Sequence, residues 1–418
     1  MTDHETGTQP NTPAPTSAKT QNQGHGKDPG QGPDQNQGHG KDPGQGPDQN
    51  QGHGEDPGQG RNRDQGQTQD RGEDAGEGGG GGRGEGAGGG RGLNRDRGRG
   101  VDRDKKRGGG WAVLTPTKVV FLALGVIVVV GTILAGTEWL SLETVVGVQQ
   151  RSAALGIVAV GQTLAILAGS LDLSVAYLIS LVSLVAAEIM ASGNVPAAVG
   201  TALAVSALVG LVNGVVITKL RVHAFIATLG VGLVIKGVLD HLYDGPAGKV
   251  PESFQHLGYD RIGPVPVSAI LWAAVALAVW FLLARTRLGY RVYAVGGDVE
   301  VARLSGVKTD RVVIVAHVLC SLCAGIAGLL LASRLGAGAP TVGTDGGYDL
   351  ESIAAVVLGG TALAGGRGGV GGTVGGVLLL AVLDSLFNQL EVNSFFKDVV
   401  RGVVIVAAVA IYARRRKQ

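Results

Sequence analysis

From Val119 to Ala413 the chain repeats one pattern: an apolar run of near-bilayer length, then a short polar interruption. A bilayer core needs about 20 apolar residues per helix, within a range of roughly 17–25. The clearest runs are Val119–Leu134, Val175–Ala191, Val195–Thr218, Phe225–Leu239, Val267–Ala284, Val312–Ala332, Val370–Leu386 and Val399–Ala413. Val145–Ala168 and Ile353–Leu363 are also apolar but are marked by Gly or polar residues, which brings the total to eight to ten. Lipid offers backbone groups no hydrogen-bond partners, so each run must close its own bonds as a helix. The expected fold class is an all-α polytopic membrane protein of about ten transmembrane helices, occupying residues 111–418.

Residues 1–110 are of another kind. Leaving Gly and Pro aside, only Ala75 and Ala87 are apolar between Gln21 and Gly92. Such a segment cannot bury enough surface to offset its ordering entropy and is predicted to be a disordered tail. Within it a 14-residue unit, NQGHGKDPGQGPDQ, begins at Asn22 and repeats at Asn36, and a degraded copy follows at Asn50. The unit has no apolar face on which copies stack, so it is a low-complexity extension rather than a repeat domain. His25, His39 and His53 recur with the repeat, and a solvated spacer is the expected reading rather than a metal site.

The whole-chain charge of +2 averages two unlike parts, and local charge says more. From Arg91 to Arg107 there are eight basic residues against Asp96, Asp102 and Asp104, just ahead of the first apolar run. No aromatic is interleaved before Trp111, so base stacking has nothing to use, and no nucleic-acid partner is expected. The cluster is read as a topology signal. The loop Thr286–Arg311 carries Arg287, Arg291, Arg303, Lys308 and Arg311, and the chain closes on Arg414, Arg415, Arg416 and Lys417. By contrast, the loop His241–Pro266 is acidic on balance and Gly336–Glu351 has no basic residue. Both termini and the 286–311 loop are therefore expected to be cytoplasmic, which requires an even number of crossings; ten satisfies every loop. The hinge Gly169–Ser174 fits less well. Without a basic residue to mark it, it reads either as a cytoplasmic turn or as a break inside the membrane lining a cavity.

Phosphate-loop, zinc-protease and nucleophile-elbow motifs are absent, so the chain is not an obvious enzyme. Cys320 and Cys323 form a C-x-x-C inside an apolar run and are expected to be small packing residues. Ionisable groups within apolar segments are costly and need a reason. Asp172, in AGSLDLSV, either caps the following helix or lines a polar pathway through a broken helix. Lys236, Asp384 and Glu188 are scattered and form no evident relay. Gly368, Gly372 and Gly376 fall at spacing four, the small-residue pattern that lets helices approach closely in lipid.

Four ordered blocks then carry a family resemblance: GQTLAILAGSLDLSV (Gly161–Val175), FIATLG (Phe225–Gly230), TRLGYRVYAVGGDVEVARLSGV (Thr286–Val307) and YDLESIAAVVLGGTALAGGRGGVGGT (Tyr348–Thr373). From about Gly156 to Ala413 the chain resembles the permease subunits of bacterial ABC importers for ribose, xylose and related monosaccharides. The resemblance implies a multi-pass protein of the bacterial plasma membrane that works as a pair of permease chains. It implies an ATPase subunit that holds ATP and Mg on a separate chain, an extracytoplasmic sugar-binding protein, and no cofactor on this chain. It makes 286–311 a cytoplasmic coupling loop, in which Gly289, Tyr293, Gly297, Ala302, Ser305 and Gly306 match the motif. A short helix over Val299–Leu304 is expected, with small Ala302 docking into the ATPase and Gly306 ending the helix. Asp172, Ser174, Phe225 and Thr228 are the expected pathway residues. The chain departs from the pattern at Asp298, Val301, Tyr290, Ser170 and the pair Asp349 and Glu351, and the last three bear on which solute passes. A nucleoside or other polar solute is the alternative cargo, and a secondary carrier acting without ATP the alternative mechanism.

Overall fold

The computed structural model describes residues 116–393 and the short stretches 395–397, 399–400 and 402–403. The tail with its repeats and histidines, the 91–107 basic cluster, most of the run Val399–Ala413 and the basic C-terminus lie outside the described residues.

Within them the chain is helical, with one hairpin of two-residue strands, β1 (Arg261–Ile262) and β2 (Val265–Pro266), after the fourth long helix. Seven helices are long and apolar enough to cross a membrane: α1 (Pro116–Ala135), α2 (Leu142–Leu167), α4 (Val195–Lys219), α5 (Ala224–Leu242), α7 (Val267–Arg285), α10 (Thr309–Leu335) and α13 (Val370–Gln389). An eighth, α3 (Val175–Ala191), is shorter and equally apolar. The short helices are α6 (Glu252–Tyr259), α8 (Arg287–Gly297), α9 (Val299–Leu304), α11 (Val342–Asp345) and α12 (Tyr348–Leu358).

Side chains cap the starts of several of these helices. Ser141 accepts from the Thr144 N–H at the head of α2, and Asn194 from the Ala197 N–H at the head of α4. At α9 the Asp298 carboxylate accepts from the N–H groups of Glu300 and Val301 at 2.9 and 3.0 Å. Asp and Asn are equally good caps, which explains why Asp298 can stand where the resembled family has Asn.

The expected crossing Ile353–Leu363 is corrected. α12 has 11 residues, about 16 Å at 1.5 Å per residue, roughly half of a bilayer core. It stops at Gly359 because the chain beyond is too glycine-rich to hold a helix: Gly360, Gly365, Gly366 and Gly368 all have positive φ. Residues 359–369 then run as an irregular loop to α13.

α2, α3 and α10 form the centre. From Ser152 to Leu167 every residue of α2 is buried, and α3 is enclosed along most of its length. A helix apolar all round belongs in such a place. α1, α4, α5 and α7 surround this centre and keep broad apolar faces exposed. One stripe decides how closely α4 approaches α10. Ala198, Ala202, Ser206, Gly210 and Gly214 recur every fourth residue and are all buried. A Cβ on Gly210 would fall 2.6 Å from the Val318 Cα, and one on Gly214 2.6 Å from the Ile314 Cα. The expected glycine stripe on α13 is partly corrected. A Cβ on Gly372 or Gly376 would strike the carbonyls of Gly359 and Ala355 at 2.0 Å, so both seat α13 on the end of α12. Gly368 lies in the loop ahead of the helix, folded against Thr361. Cys320 and Cys323 are buried free thiols on α10, packed against Gly161 of α2.

Candidate functional site

α2 ends in a Schellman turn. The Ser170 N–H bonds the Ala165 carbonyl and the Gly169 N–H the Ile166 carbonyl, both at 2.9 Å, with Gly169 at φ 80°. The next residues reach the start of α3 without helical structure, and Ser170, Asp172, Leu173 and Ser174 are all buried. The hinge is thus a break enclosed by protein.

Asp172 organises it. Its Oδ1 accepts from the Ser174 N–H at 3.0 Å and the Ser174 hydroxyl at 2.6 Å, an Asx turn just ahead of α3. The helix cap itself is Ser174, so Asp172 shapes the approach to α3 rather than capping it. Oδ2 lies 3.2 Å from His317 Nδ1 on α10, and His317 Nε2 is 2.7 Å from the Ser170 hydroxyl. A carboxylate offers no proton, so Nδ1 carries one, and both ends of the imidazole are tied to the hinge. Asn213 Nδ2 on α4 donates to the Ser174 hydroxyl at 2.8 Å, while its Oδ1 finds no partner among the described residues. The Gln162 amide on α2 pairs with the Asp172 backbone, accepting from its N–H at 3.1 Å and donating to its carbonyl at 3.2 Å. Thr228 on α5 accepts from the Leu173 N–H at 3.1 Å. One six-residue hinge is therefore fastened to α2, α4, α5 and α10.

The hinge also touches the polar segment. Leu167 O, left unpaired by the end of α2, accepts from the Gly366 N–H at 3.0 Å. Gly296, near the end of α8, packs so closely that a Cβ on it would lie 1.8 Å from that oxygen. A Cβ on Gly365 would meet the Gly296 carbonyl and the Gly169 backbone within 2.9 Å. Three backbones, from the hinge, α8 and the 359–369 loop, meet with no side chain between them. Tyr293 adds a fourth link, donating to the Gly368 carbonyl at 3.0 Å, and burial pushes its phenol pKa up.

Of the expected pathway residues, Asp172, Ser174 and Thr228 come together, all fully buried. Phe225 does not; it is 46% exposed, near the start of α5. In the polar segment Gly289 is wedged at the α7–α8 corner against Leu283, and Gly306 follows α9 with φ 80°. Ser305 is exposed and bonds back to the Val301 carbonyl; Gly297 faces open space. Ala302 is corrected in direction. It is 4% exposed and packed against Val292, Val295 and Val312, so its small side chain seats α9 on its own bundle. The outward residues are Leu304 (82% exposed), Tyr290 (79%), Val301 and Val299. Lys236 pairs with Asp240 one turn along α5, half exposed and away from the hinge.

His317, Asn213 and Gln162 were missed. His317 stood inside the apolar run Val312–Ala332 and carried the same signal as Asp172, an ionisable group in an apolar frame. Asn213 and Gln162 are uncharged and gave no comparable signal.

The described residues thus form a bundle of helices long and apolar enough to span a membrane, with a buried polar hinge and an amphipathic segment at one end. The chain belongs to the family described as branched-chain amino acid transport system / permease component, whose profile matches residues 144–409. Ribose import permease protein RbsC of Escherichia coli (strain K12) is 39% identical over 304 residues, 71% of this chain and 94% of that protein. The protein of that name from Bacillus subtilis (strain 168) is 38% identical over 295 residues, 70% of this chain and 91% of its own. D-allose transport system permease protein AlsC of Escherichia coli (strain K12) is 32% identical over 296 residues, with 70% and 90% covered. No solved structure matches the chain. As a member of a permease family, the chain is a transport subunit and not itself an enzyme.

Proposed function

We propose that this chain is the membrane-spanning permease of an ATP-driven ABC importer carrying a monosaccharide of the ribose type. The observation that carries this reading is its 39% identity, over nearly the whole length of the relative, to a protein named a ribose import permease. A separate ATPase chain supplies ATP and Mg, a sugar-binding protein delivers the solute from outside, and a second copy of the permease completes the pathway. Both termini lie in the cytoplasm. In support of that orientation, Lys219, Arg303, Lys308 and Arg311 gather around one cavity beside α9, as the positive-inside rule expects of a cytoplasmic end.

The geometry supports a route from motor to membrane. Leu304, Val301, Val299 and Tyr290 present an apolar docking face to the ATPase. Movement of α8 and α9 passes through Gly296 to Leu167 and Gly169, where no side chain can absorb it. The hinge then tilts α3, while its ties to α2, α4, α5 and α10 carry the tilt into the bundle, a rigid-body switch between packed states. Asp172, Ser174 and Thr228 act at this hinge rather than along an open pore.

The test is ATP hydrolysis by the permease reconstituted with its candidate ATPase and binding protein, against a panel of pentoses, hexoses and nucleosides. Stimulation by one monosaccharide-loaded binding protein is expected. Uptake that follows an ion gradient without any ATPase would instead establish a secondary carrier. The docking face has its own prediction. Leu304→Asp is expected to weaken ATPase association by tenfold or more, since a central apolar anchor contributes about 2 kcal/mol and 1.4 kcal/mol is tenfold. Co-purification titrated with ATPase checks it, and the variant should fold normally because Leu304 touches solvent.

A further inference from the structure

At the end of the bundle that carries the polar segment, α4, α9 and α10 meet around an open cavity of about 320 Å³. Lys219, Arg303, Lys308, Asp310 and Arg311 line it, and Arg221, two residues past α4, lies within electrostatic reach of Asp310. Lys219 pairs with Asp310 at 2.7 Å and Arg303 with Glu300 at 3.5 Å. Arg221, Lys308 and Arg311 are exposed and make no salt bridge among the described residues. The positive-inside rule accounts for cations at this end of the bundle, but not for their convergence from three elements on one cavity.

Two further observations bear on what the corner takes. Arg221 is held at φ 55° in the turn that closes α4, where the Val222 N–H reaches back to the Val216 carbonyl at 3.5 Å. Glycine makes such a left-handed turn without strain, so an arginine kept there contributes through its side chain. The same turn also carries apolar groups on its surface. Leu220 is 68% exposed, and Phe225 and Ile226, at the start of α5, are exposed as well. Both helices that the turn joins are long and apolar enough to span a membrane, so the corner lies where a span leaves hydrocarbon for water.

We infer that this corner binds an anionic phospholipid, its phosphate among Arg221, Lys308 and Arg311 and its acyl chains along Leu220, Phe225 and Ile226. A guanidinium holds two phosphate oxygens at once, and basic pockets at the ends of membrane spans attract anionic headgroups. A soluble anion would use the cations and leave the apolar residues beside them in water, whereas a lipid uses both. Arg303 belongs to α9, so a headgroup in the cavity also braces that short helix against α4 and α10. The inference requires only that the chain spans a membrane and is independent of the solute it carries.

The experiment titrates the full chain, in neutral detergent micelles, with phosphatidylglycerol, phosphatidylcholine or inorganic phosphate. Thermal unfolding reports stabilisation, and native mass spectrometry counts retained lipid. Phosphatidylglycerol alone is expected to raise the Tm and stay bound. Lys308→Gln combined with Arg311→Gln should weaken its binding roughly 25-fold, since each cation beside an anionic headgroup strengthens binding about fivefold. Arg221→Gly should bind the lipid about fivefold more weakly, yet unfold no earlier than wild type when lipid is absent. A purely structural arginine would not separate the two readouts in this way. Arg287→Gln combined with Arg291→Gln removes two exposed cations from α8 and should bind like wild type. Equal loss in that control, or equal stabilisation by phosphatidylcholine, overturns the site. Equal stabilisation by inorganic phosphate makes it a soluble-anion site and overturns the lipid. Undiminished phosphatidylglycerol binding with lost ATPase association in the Lys308 and Arg311 double variant assigns those cations to the ATPase instead. Sugar uptake by the wild-type complex tests the importer reading separately from all of these.

Discussion

Gly296→Ala will abolish ATP-driven uptake and destabilise the chain by about 1–3 kcal/mol, the usual range for forcing an extra carbon into a packed site. The added Cβ would stand 1.8 Å from the Leu167 carbonyl oxygen and 2.6 Å from the Gly366 nitrogen. Those two atoms are hydrogen-bonded to each other at 3.0 Å. Both belong to backbone, so neither can rotate away, and pushing them apart unpairs a buried acceptor at the end of α2. The adjacent residue is the control. A Cβ on Gly297 would meet nothing within 4 Å, and Ala is the better helix former, so Gly297→Ala should be neutral or slightly stabilising. Thermal unfolding of both variants in detergent, beside uptake in vesicles, checks the pair. Wild-type behaviour of Gly296→Ala would mean that the contact between α8 and the hinge carries neither stability nor motion. Loss of uptake in Gly297→Ala with stability intact would place that residue at a contact with the ATPase.

The crossings were legible because a membrane imposes one length and one chemistry on every span. Val175–Ala191 was delimited to the residue, and Phe225–Leu239 and Val267–Ala284 to within a few. Asp172 was legible for the converse reason, a carboxylate where lipid tolerates none. What surrounds it was not. Gln162 and Asn213 come from other helices, and no local pattern records that α2 and α4 bring them to the same residue, Gln162 to the Asp172 backbone and Asn213 to its carboxylate. α9 has only six residues, too few for a periodicity to tell Ala302's inward face from Leu304's outward one. Spacing four has meaning only inside a helix, so Gly368, two residues before α13, shared the spacing of Gly372 and Gly376 without their role. The same spacing on α4, from Ala198 to Gly214, marks the contact with α10 and was equally visible. Phe225 was grouped with Thr228 because both stand in the block FIATLG, but only Thr228 is buried at the hinge, while Phe225, near the start of α5, is 46% exposed.

The buried pair predicts a second large effect, with an ordering that separates it from ordinary packing. His317→Leu leaves the Asp172 carboxylate enclosed without the Nδ1–H donor and leaves the Ser170 hydroxyl without a partner. Removing one member of a buried pair costs about 3–5 kcal/mol. Asp172→Asn should be far milder, about 1–2 kcal/mol, because the amide oxygen still accepts from Ser174 and its NH2 donates to Nδ1. The imidazole then carries its proton on Nε2 and donates it to Ser170. Asp172→Leu combined with His317→Leu should cost less than the two single changes together, by about 1–3 kcal/mol, since the second change removes the group the first left unpaired. Thermal unfolding of the four proteins measures this coupling. Additivity to within about 0.5 kcal/mol would mean that the carboxylate and the imidazole act independently. Uptake by Asp172→Asn then decides function. A variant that folds and assembles but transports slowly places Asp172 in the switch itself, because a structural role would move stability and rate together. Unchanged uptake would confine the network to holding α3 against α10.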